Sequence, residues 1–80
     1  MTELNTLIGI RIKQKRIELG LTVEQLAYIL GCSRQLIEHY EKGFCAIPVY
    51  KLNDLAMLCD LPIDWFLMDK GSILIEVVYL

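Results

Sequence analysis

The 80-residue sequence has few of the groups that catalytic and metal sites use. It contains one histidine and three cysteines, and no two cysteines form a CxxC pair. So few metal-binding side chains argue against a zinc site, and an odd number of widely spaced cysteines argues against a disulfide framework. A glycine-rich phosphate loop and a cluster of paired carboxylates are also missing, so we expect no enzyme, no metal and no cofactor.

The chain also lacks long apolar runs and a positive net charge. No apolar run approaches the roughly 18–20 residues of a transmembrane helix, and no signal peptide opens the sequence, so we expect a soluble, cytoplasmic protein without membrane contact. The net charge is −2, but residues 1–20 carry +2, residues 21–43 carry −1 and residues 44–80 carry −3. Because basic groups collect near the N-terminus, one face of the protein can still bind a polyanion.

The sequence does contain a pair of short helical patterns, in residues 21–43. Thr22 is a good N-cap and Gln25 stands three residues later, which is the capping-box pattern. The pattern predicts a helix over about residues 23–30, which Gly31 ends because glycine readily adopts a left-handed conformation. The predicted inward face holds Leu26, Ile29 and Leu30.

A second short helix follows directly after the glycine turn. Ser33 can cap its N-terminus, and Gly43 ends it. Ile37 and Tyr40 share its inner face because they lie three residues apart. The residues left on its outer face or edges are Arg34, Gln35, Glu38 and His39.

Three further helices complete one small domain. The periodicity predicts helices over residues 7–19, 50–59 and 63–68, after a six-residue lead and with a loop at residues 44–49. The inward residues expected in the first and fourth helices are Leu7, Ile8, Ile12, Leu19, Leu52, Leu55, Ala56 and Leu58. The apolar fraction of 55% exceeds the usual range of about 45–50%, which favours a surface reserved for another chain.

Residues 21–43 resemble the helix-turn-helix of the lambdoid phage repressor and Cro family, also called the xenobiotic-response-element type. The resemblance extends to KQKRIELGLT before this motif and to LNDLAMLCDLPIDWFL after it, including the pair Asp64–Trp65. It implies an all-α, five-helix, lambda-repressor-like DNA-binding domain over residues 1–70. It also implies a sequence-specific regulator of transcription, a dimeric repressor that reads the major groove of double-stranded DNA with its third helix.

The resemblance places three residues against base edges, namely Arg34, Gln35 and His39. Arginine can bind guanine O6 and N7 with two hydrogen bonds, and glutamine can pair with adenine in the same way. Histidine can donate to a guanine or to a phosphate. The chemistry of these side chains therefore suits sequence readout.

The resemblance also implies contacts to the DNA backbone and one structural ion pair. The family binds a phosphate at the N-terminus of its second helix, which here offers only the backbone N–H of Val23. Further candidates for phosphate contacts are Lys42, Arg11, Lys13 and Lys15. Arg16 and Glu41 are expected to form a partly buried pair that ties the first helix to the third.

Two apolar segments favour contacts with protein instead. The loop FCAIPV, residues 44–49, carries no charge where related repressors are basic, so we expect weaker and less salt-sensitive DNA binding. The tail over residues 71–80 includes SILIEVVYL, whose β-branched residues predict a short C-terminal β-strand. This strand pairs with a second copy, packs on its own domain, or belongs to a longer protein. The predicted dimer interface comprises Phe44, Ile47, Ile73, Ile75, Val77 and Tyr79.

The alternative function is a protein-interaction module of the antitoxin or antirepressor type. Such a module would use the apolar loop and the C-terminal strand to bind a partner protein. The low positive charge favours this interpretation, whereas Arg34 and Gln35 on the outer face of the third helix favour DNA.

Overall fold

The computed structural model describes residues 3–67, and this part of the chain is all-α. Its helices follow in the order α1 (Glu3–Glu18), α2 (Val23–Leu30), α3 (Arg34–Lys42), α4 (Val49–Cys59) and α5 (Asp64–Leu67). The predicted five-helix fold is confirmed. The predicted C-terminal strand and the predicted domain boundary at residue 70 lie outside the described residues.

Helix α1 is longer than the sequence suggested. It begins at Glu3, so residues 3–6 belong to the helix and the prediction of an irregular lead over them is wrong. An acidic residue in the first turn suits the positive end of the helix dipole, and no proline or glycine interrupts residues 3–8. Leu19 was expected to face inward but is exposed, because the helix already ends at Glu18.

Helix α2 has the predicted bounds and the predicted capping box. The Thr22 hydroxyl accepts from Gln25 N at 3.0 Å, and the Gln25 side chain accepts from Thr22 N at 2.8 Å. At the other end Gly31 has a φ of 69°, which turns the chain sharply toward α3. Ile29 is exposed rather than inward, because the buried stripe is centred between Leu26, Ala27 and Leu30, about a quarter turn away.

Helices α4 and α5 close the domain. Helix α4 begins one residue earlier than predicted, and α5 begins one residue later, at Asp64. The predicted last residue of this helix, Met68, lies outside the described residues. The buried face of α4 consists of Leu52, Leu55 and Ala56. Leu58 was expected to be partly buried but lies well off this face and is exposed. Phe66 of α5 inserts completely into the core, so even this single turn contributes to the packing.

The backbones of α1 and α3 come into contact at Gly9. A Cβ atom added at this position would lie 2.3 Å from Tyr40 O and 2.7 Å from Glu41 O. No side chain fits at such distances, so the glycine lets the two backbones touch. The contact places α1 directly behind α3 and leaves the opposite face of α3 to solvent.

Candidate nucleic-acid interface

The local sequence fixes which face of α3 points outward. The Ser33 hydroxyl accepts from Leu36 N at 3.1 Å and so caps the helix N-terminus. Ile37 and Tyr40 are buried against the core. Arg34 and Gln35, in the first turn, are therefore exposed on the outer face. These are two of the three residues that the sequence predicted to meet base edges.

The guanidinium of Arg34 lies between two carboxylates. Its Nη1 donates to Glu24 Oε2 at 2.5 Å, and its Nε donates to Glu38 Oε2 at 3.2 Å. The Arg34 side chain is 61% exposed, so these pairs hold it at the surface without covering it. Sequence reasoning missed this arrangement, although the spacing of four residues between Arg34 and Glu38 is a recognisable signal on a helix.

His39, the third predicted base-contacting residue, is half-buried in the second half of α3. Its ring centroid lies 5.7 Å from that of Phe44, and the two rings are tilted by 51°. The Nζ atom of Lys42 lies 5.8 Å from the same Phe44 ring. Phe44 thus supports two polar side chains at the C-terminal end of α3.

Three of the residues predicted to touch the DNA backbone come together. Lys13 of α1, Val23 at the start of α2 and Lys42 at the end of α3 line one shallow depression in the surface. The other lining residues are Arg16, Glu38 and Glu41. This depression lies beside the outer face of α3, since Glu38 belongs to both.

The other two predicted backbone contacts lie elsewhere. Arg11 is only 8% exposed, and its Nη1 donates to Trp65 O at 2.7 Å. Lys15 Nζ lies 4.7 Å from the Trp65 ring and 2.8 Å from Glu18 Oε1. Both side chains anchor α5, because positions 11 and 15 share one face of α1 and position 13 points the other way. Arg11 and Lys15 thus lie against α5, away from the depression that Lys13 lines.

The predicted ion pair between Arg16 and Glu41 is present. Both residues line the depression, and the pair joins α1 to α3. The family resemblance implied that these two residues pair, and the structure shows the pair between α1 and α3 as expected. Their charges are satisfied by each other and are not presented at the surface.

Exposed apolar side chains also follow α3 in the sequence. Phe44, Val49 and Tyr50 are exposed, and Ile47 is half-buried between them in sequence. The loop from residue 44 to 49 carries no charge. The remaining residues of the predicted dimer interface lie outside the described part of the chain: Ile73, Ile75, Val77 and Tyr79.

Residues 3–67 contain no candidate metal site, disulfide or membrane-spanning helix. No three histidine, cysteine, aspartate or glutamate side chains in this range are grouped so as to hold a metal ion. The cysteines of this range form no disulfide and are half-buried. None of the described helices combines the length and the apolar character needed to cross a bilayer.

Comparison with known proteins agrees with this geometry. A family model described as "Helix-turn-helix domain" matches residues 9–72, and the chain belongs to this family. The family predicted from the sequence is thereby confirmed. The fold also matches the structure titled "Crystal structure of the master regulator for biofilm formation SinR in complex with DNA", with a TM-score of 0.67 and 27% identity. That match covers 76% of this chain and 98% of the SinR chain in that structure.

Two curated relatives align over 62 residues, or 78% of this chain. An "Uncharacterized transcriptional regulator in ATPase CF(0) region" of Rhodospirillum rubrum is 40% identical, and an "Uncharacterized HTH-type transcriptional regulator" of Sinorhizobium medicae (strain WSM419) is 32% identical. The alignments cover 57% and 45% of these proteins, so the chain spans about half the length of the curated relatives it matches.

Proposed function

We propose that this chain binds double-stranded DNA and regulates transcription, with α3 inserted in the major groove. One observation carries the proposal: Arg34 and Gln35 project from the exposed first turn of α3. The N-terminal residues of a recognition helix are those that reach base edges in this type of motif. Membership of the helix-turn-helix family and the likeness to SinR, which was solved with DNA, support the same function.

The three candidate base-reading residues have complementary chemistry. Arg34 can donate two hydrogen bonds to guanine O6 and N7, and Gln35 can pair with adenine N6 and N7. His39 lies one turn after Gln35, where its ring can donate to a neighbouring guanine or phosphate. The order of these residues along α3 predicts that they read successive positions of one half-site.

The DNA backbone would run along the depression beside α3. There the backbone N–H of Val23 lies at the positive end of α2, and Lys13 and Lys42 line the same depression. With an uncharged loop at residues 44–49, these contacts are few. We therefore expect weak, moderately salt-dependent binding compared with a relative that has a basic loop.

A dimer would place two recognition helices in successive major grooves, about 34–36 Å apart. The exposed apolar surface at Phe44 and the tail over residues 71–80 are the surfaces we propose for dimerisation. A dimer on a palindromic site in the cytoplasm would act as a repressor by blocking a promoter. Sedimentation of the full chain and of a variant lacking residues 72–80 tests the dimer, and an unchanged dimer in that variant would contradict the role of the tail.

Selection from a random double-stranded library tests DNA binding directly. We expect an enriched, roughly palindromic site containing guanine and adenine, with Arg34→Ala and Gln35→Ala each weakening binding by about 1–3 kcal/mol. Asn53→Ala is a matched control, because this exposed residue lies on α4, outside the candidate interface. Failure to enrich any site at low salt, or equal affinity of Arg34→Ala and parent, would contradict the proposal.

One observation favours a second candidate, a protein-interaction module of the antitoxin or antirepressor type. Phe44, Val49 and Tyr50 are exposed around an uncharged loop, and such a surface suits a protein partner. This candidate predicts no selective DNA binding and an association that Phe44→Ser abolishes. The library selection therefore separates the two functions.

A further inference from the structure

We infer that Glu24 is a specificity-determining residue that acts by positioning Arg34. The inference rests on the proposed function, because it concerns how α3 reads DNA. Glu24 belongs to α2 and is ten residues from Arg34 in sequence, yet the two side chains meet across the turn of the motif. The same guanidinium is held on its other side by Glu38.

The geometry leaves Arg34 able to read a base while both carboxylates remain attached. A guanidinium has five N–H donors in a planar fork. Glu38 takes a donor on Nε and Glu24 takes a donor on Nη1, which leaves both N–H groups of Nη2 and one of Nη1. These three donors lie in one plane, and a forked pair among them matches the two acceptors of guanine.

The two carboxylates restrain a side chain that would otherwise be mobile. Arg34 is more than half exposed, and the neutral part of its side chain has many rotamers to lose on binding. Held from α2 and from α3, the guanidinium is aimed before DNA arrives, so less freedom is lost when it meets guanine. An unrestrained arginine can instead turn to a phosphate, which is present at every sequence.

The charge of the cluster adds to this discrimination. One guanidinium and two carboxylates carry a net charge of −1 on the face that we place against DNA. Such a cluster does not attract phosphates, so it adds little to binding at an arbitrary sequence. Binding is favoured at this position only where a base offers hydrogen-bond acceptors to Arg34. Glu24 thus lowers affinity for other DNA while it preserves affinity for the correct base.

The substitution Glu24→Gln tests the inference, because it keeps the size of the side chain and removes its charge. The measured quantity is the ratio of affinities for the selected site and for the same site with the guanine pair at the Arg34 position replaced. We expect Glu24→Gln to lower this ratio about five- to tenfold, mainly by tighter binding to the replaced site. Asp60→Asn removes one exposed charge at the end of α4 and should leave the ratio unchanged.

A double substitution shows whether Glu24 acts through Arg34. In an Arg34→Ala background, Glu24→Gln should no longer change the ratio. If it changes the ratio there as well, or tightens binding to both sites equally in the parent background, Glu24 acts only through its charge and the inference is wrong. If the parent itself selects no site, the proposed function is wrong and the inference is overturned with it.

A measurement without DNA tests the arrangement independently. The Nε–H proton of Arg34 in ¹⁵N-labelled protein should exchange with water several-fold more slowly than that of a fully solvated arginine. Glu38→Gln, which replaces the Nε acceptor, should remove most of this protection. Fast exchange in the parent would show that the guanidinium is not held, which overturns the inference even if DNA binding is found.

Discussion

Arg16 and Glu41 lock α1 to α3 with two parallel hydrogen bonds. Arg16 Nε donates to Glu41 Oε2 at 2.7 Å, and Nη2 donates to Oε1 at 3.2 Å. Arg16 Nη1 also donates to Leu21 O at 3.0 Å, so the same side chain holds the turn before α2. The side chains of Arg16 and Glu41 are only 12% and 7% exposed. Arg16 therefore connects α1, the turn before α2 and the recognition helix α3.

Arg16→Met should lower the free energy of unfolding by about 3–5 kcal/mol, because it leaves the buried Glu41 carboxylate without its partner. The measurement is urea denaturation at neutral pH. Glu18→Gln breaks the exposed pair with Lys15 and serves as the control, with almost no change expected. Equal midpoints for Arg16→Met and the parent would show that the pair contributes nothing to stability.

Gly9→Ala should destabilise the protein, although alanine normally favours a helix. At an open helical position this change stabilises by about 0.5–1 kcal/mol. Here the new methyl would overlap Tyr40 O, so we expect a loss of about 3 kcal/mol or more as α1 and α3 move apart. Thermal and chemical denaturation give the sign of the change in the free energy of unfolding. Any gain in stability would contradict the close contact.

The lysines that line the depression should affect DNA binding, whereas Lys15 should not. Lys13→Met and Lys42→Met should each weaken binding at all sequences and reduce the slope of log K against log salt by about 0.9. Lys15→Met should leave the slope unchanged, because Lys15 packs on Trp65 and pairs with Glu18. Salt titrations of DNA binding by the three variants test these expectations. A reduced slope for Lys15→Met would require a wider DNA footprint than we propose.

Two half-buried thiols should make the free energy of unfolding fall in alkali. Burial raises the pKa of Cys32 and of Cys59 above the ordinary value of 9.0. As pH rises past about 9, the thiols ionise in the unfolded chain before they ionise in the fold, so their contribution to stability is complete below that pH and is lost above it. Urea midpoints at pH 7.5 and 9.5 should differ less in a Cys32→Ala, Cys59→Ala variant than in the parent.

Burial also raises the pKa of Tyr40, whose ordinary value is 10.0. Ionisation of this group therefore lowers the free energy of unfolding further at higher pH. The double cysteine variant should therefore keep a residual loss of stability above about pH 10. An identical decrease between pH 7.5 and 9.5 in the variant and the parent would show that neither thiol contributes.

Local features of the sequence predicted the central motif well. Thr22 with Gln25 gave the start of α2, Gly31 gave its end, and Ser33 gave the start of α3, because each of these signals acts within a few residues. The exposure of Arg34 and Gln35 followed from the same periodicity. Such short-range rules do not depend on how the helices pack.

Features that depend on packing were not predicted. Helical spacing sets Arg11 and Lys15 on the opposite face of α1 from Lys13, but only the position of Trp65 on α5 shows which of the two faces is covered. The pairing of Glu24 with Arg34 crosses two helices, and no spacing rule connects residues so placed. Gly9 gave no local signal at all, because its role arises from the backbone of α3.

The contact at Gly9 has a consequence for how the recognition preference of this protein can change. Because the backbones of α1 and α3 touch at Gly9 without an intervening side chain, substitutions at this contact cannot change the tilt of α3. New target sequences must therefore be acquired by replacing the outward side chains of a helix whose pose stays constant. A collection of randomised variants at positions 34, 35 and 39 would retain one docking geometry while its members diverge in the bases they choose.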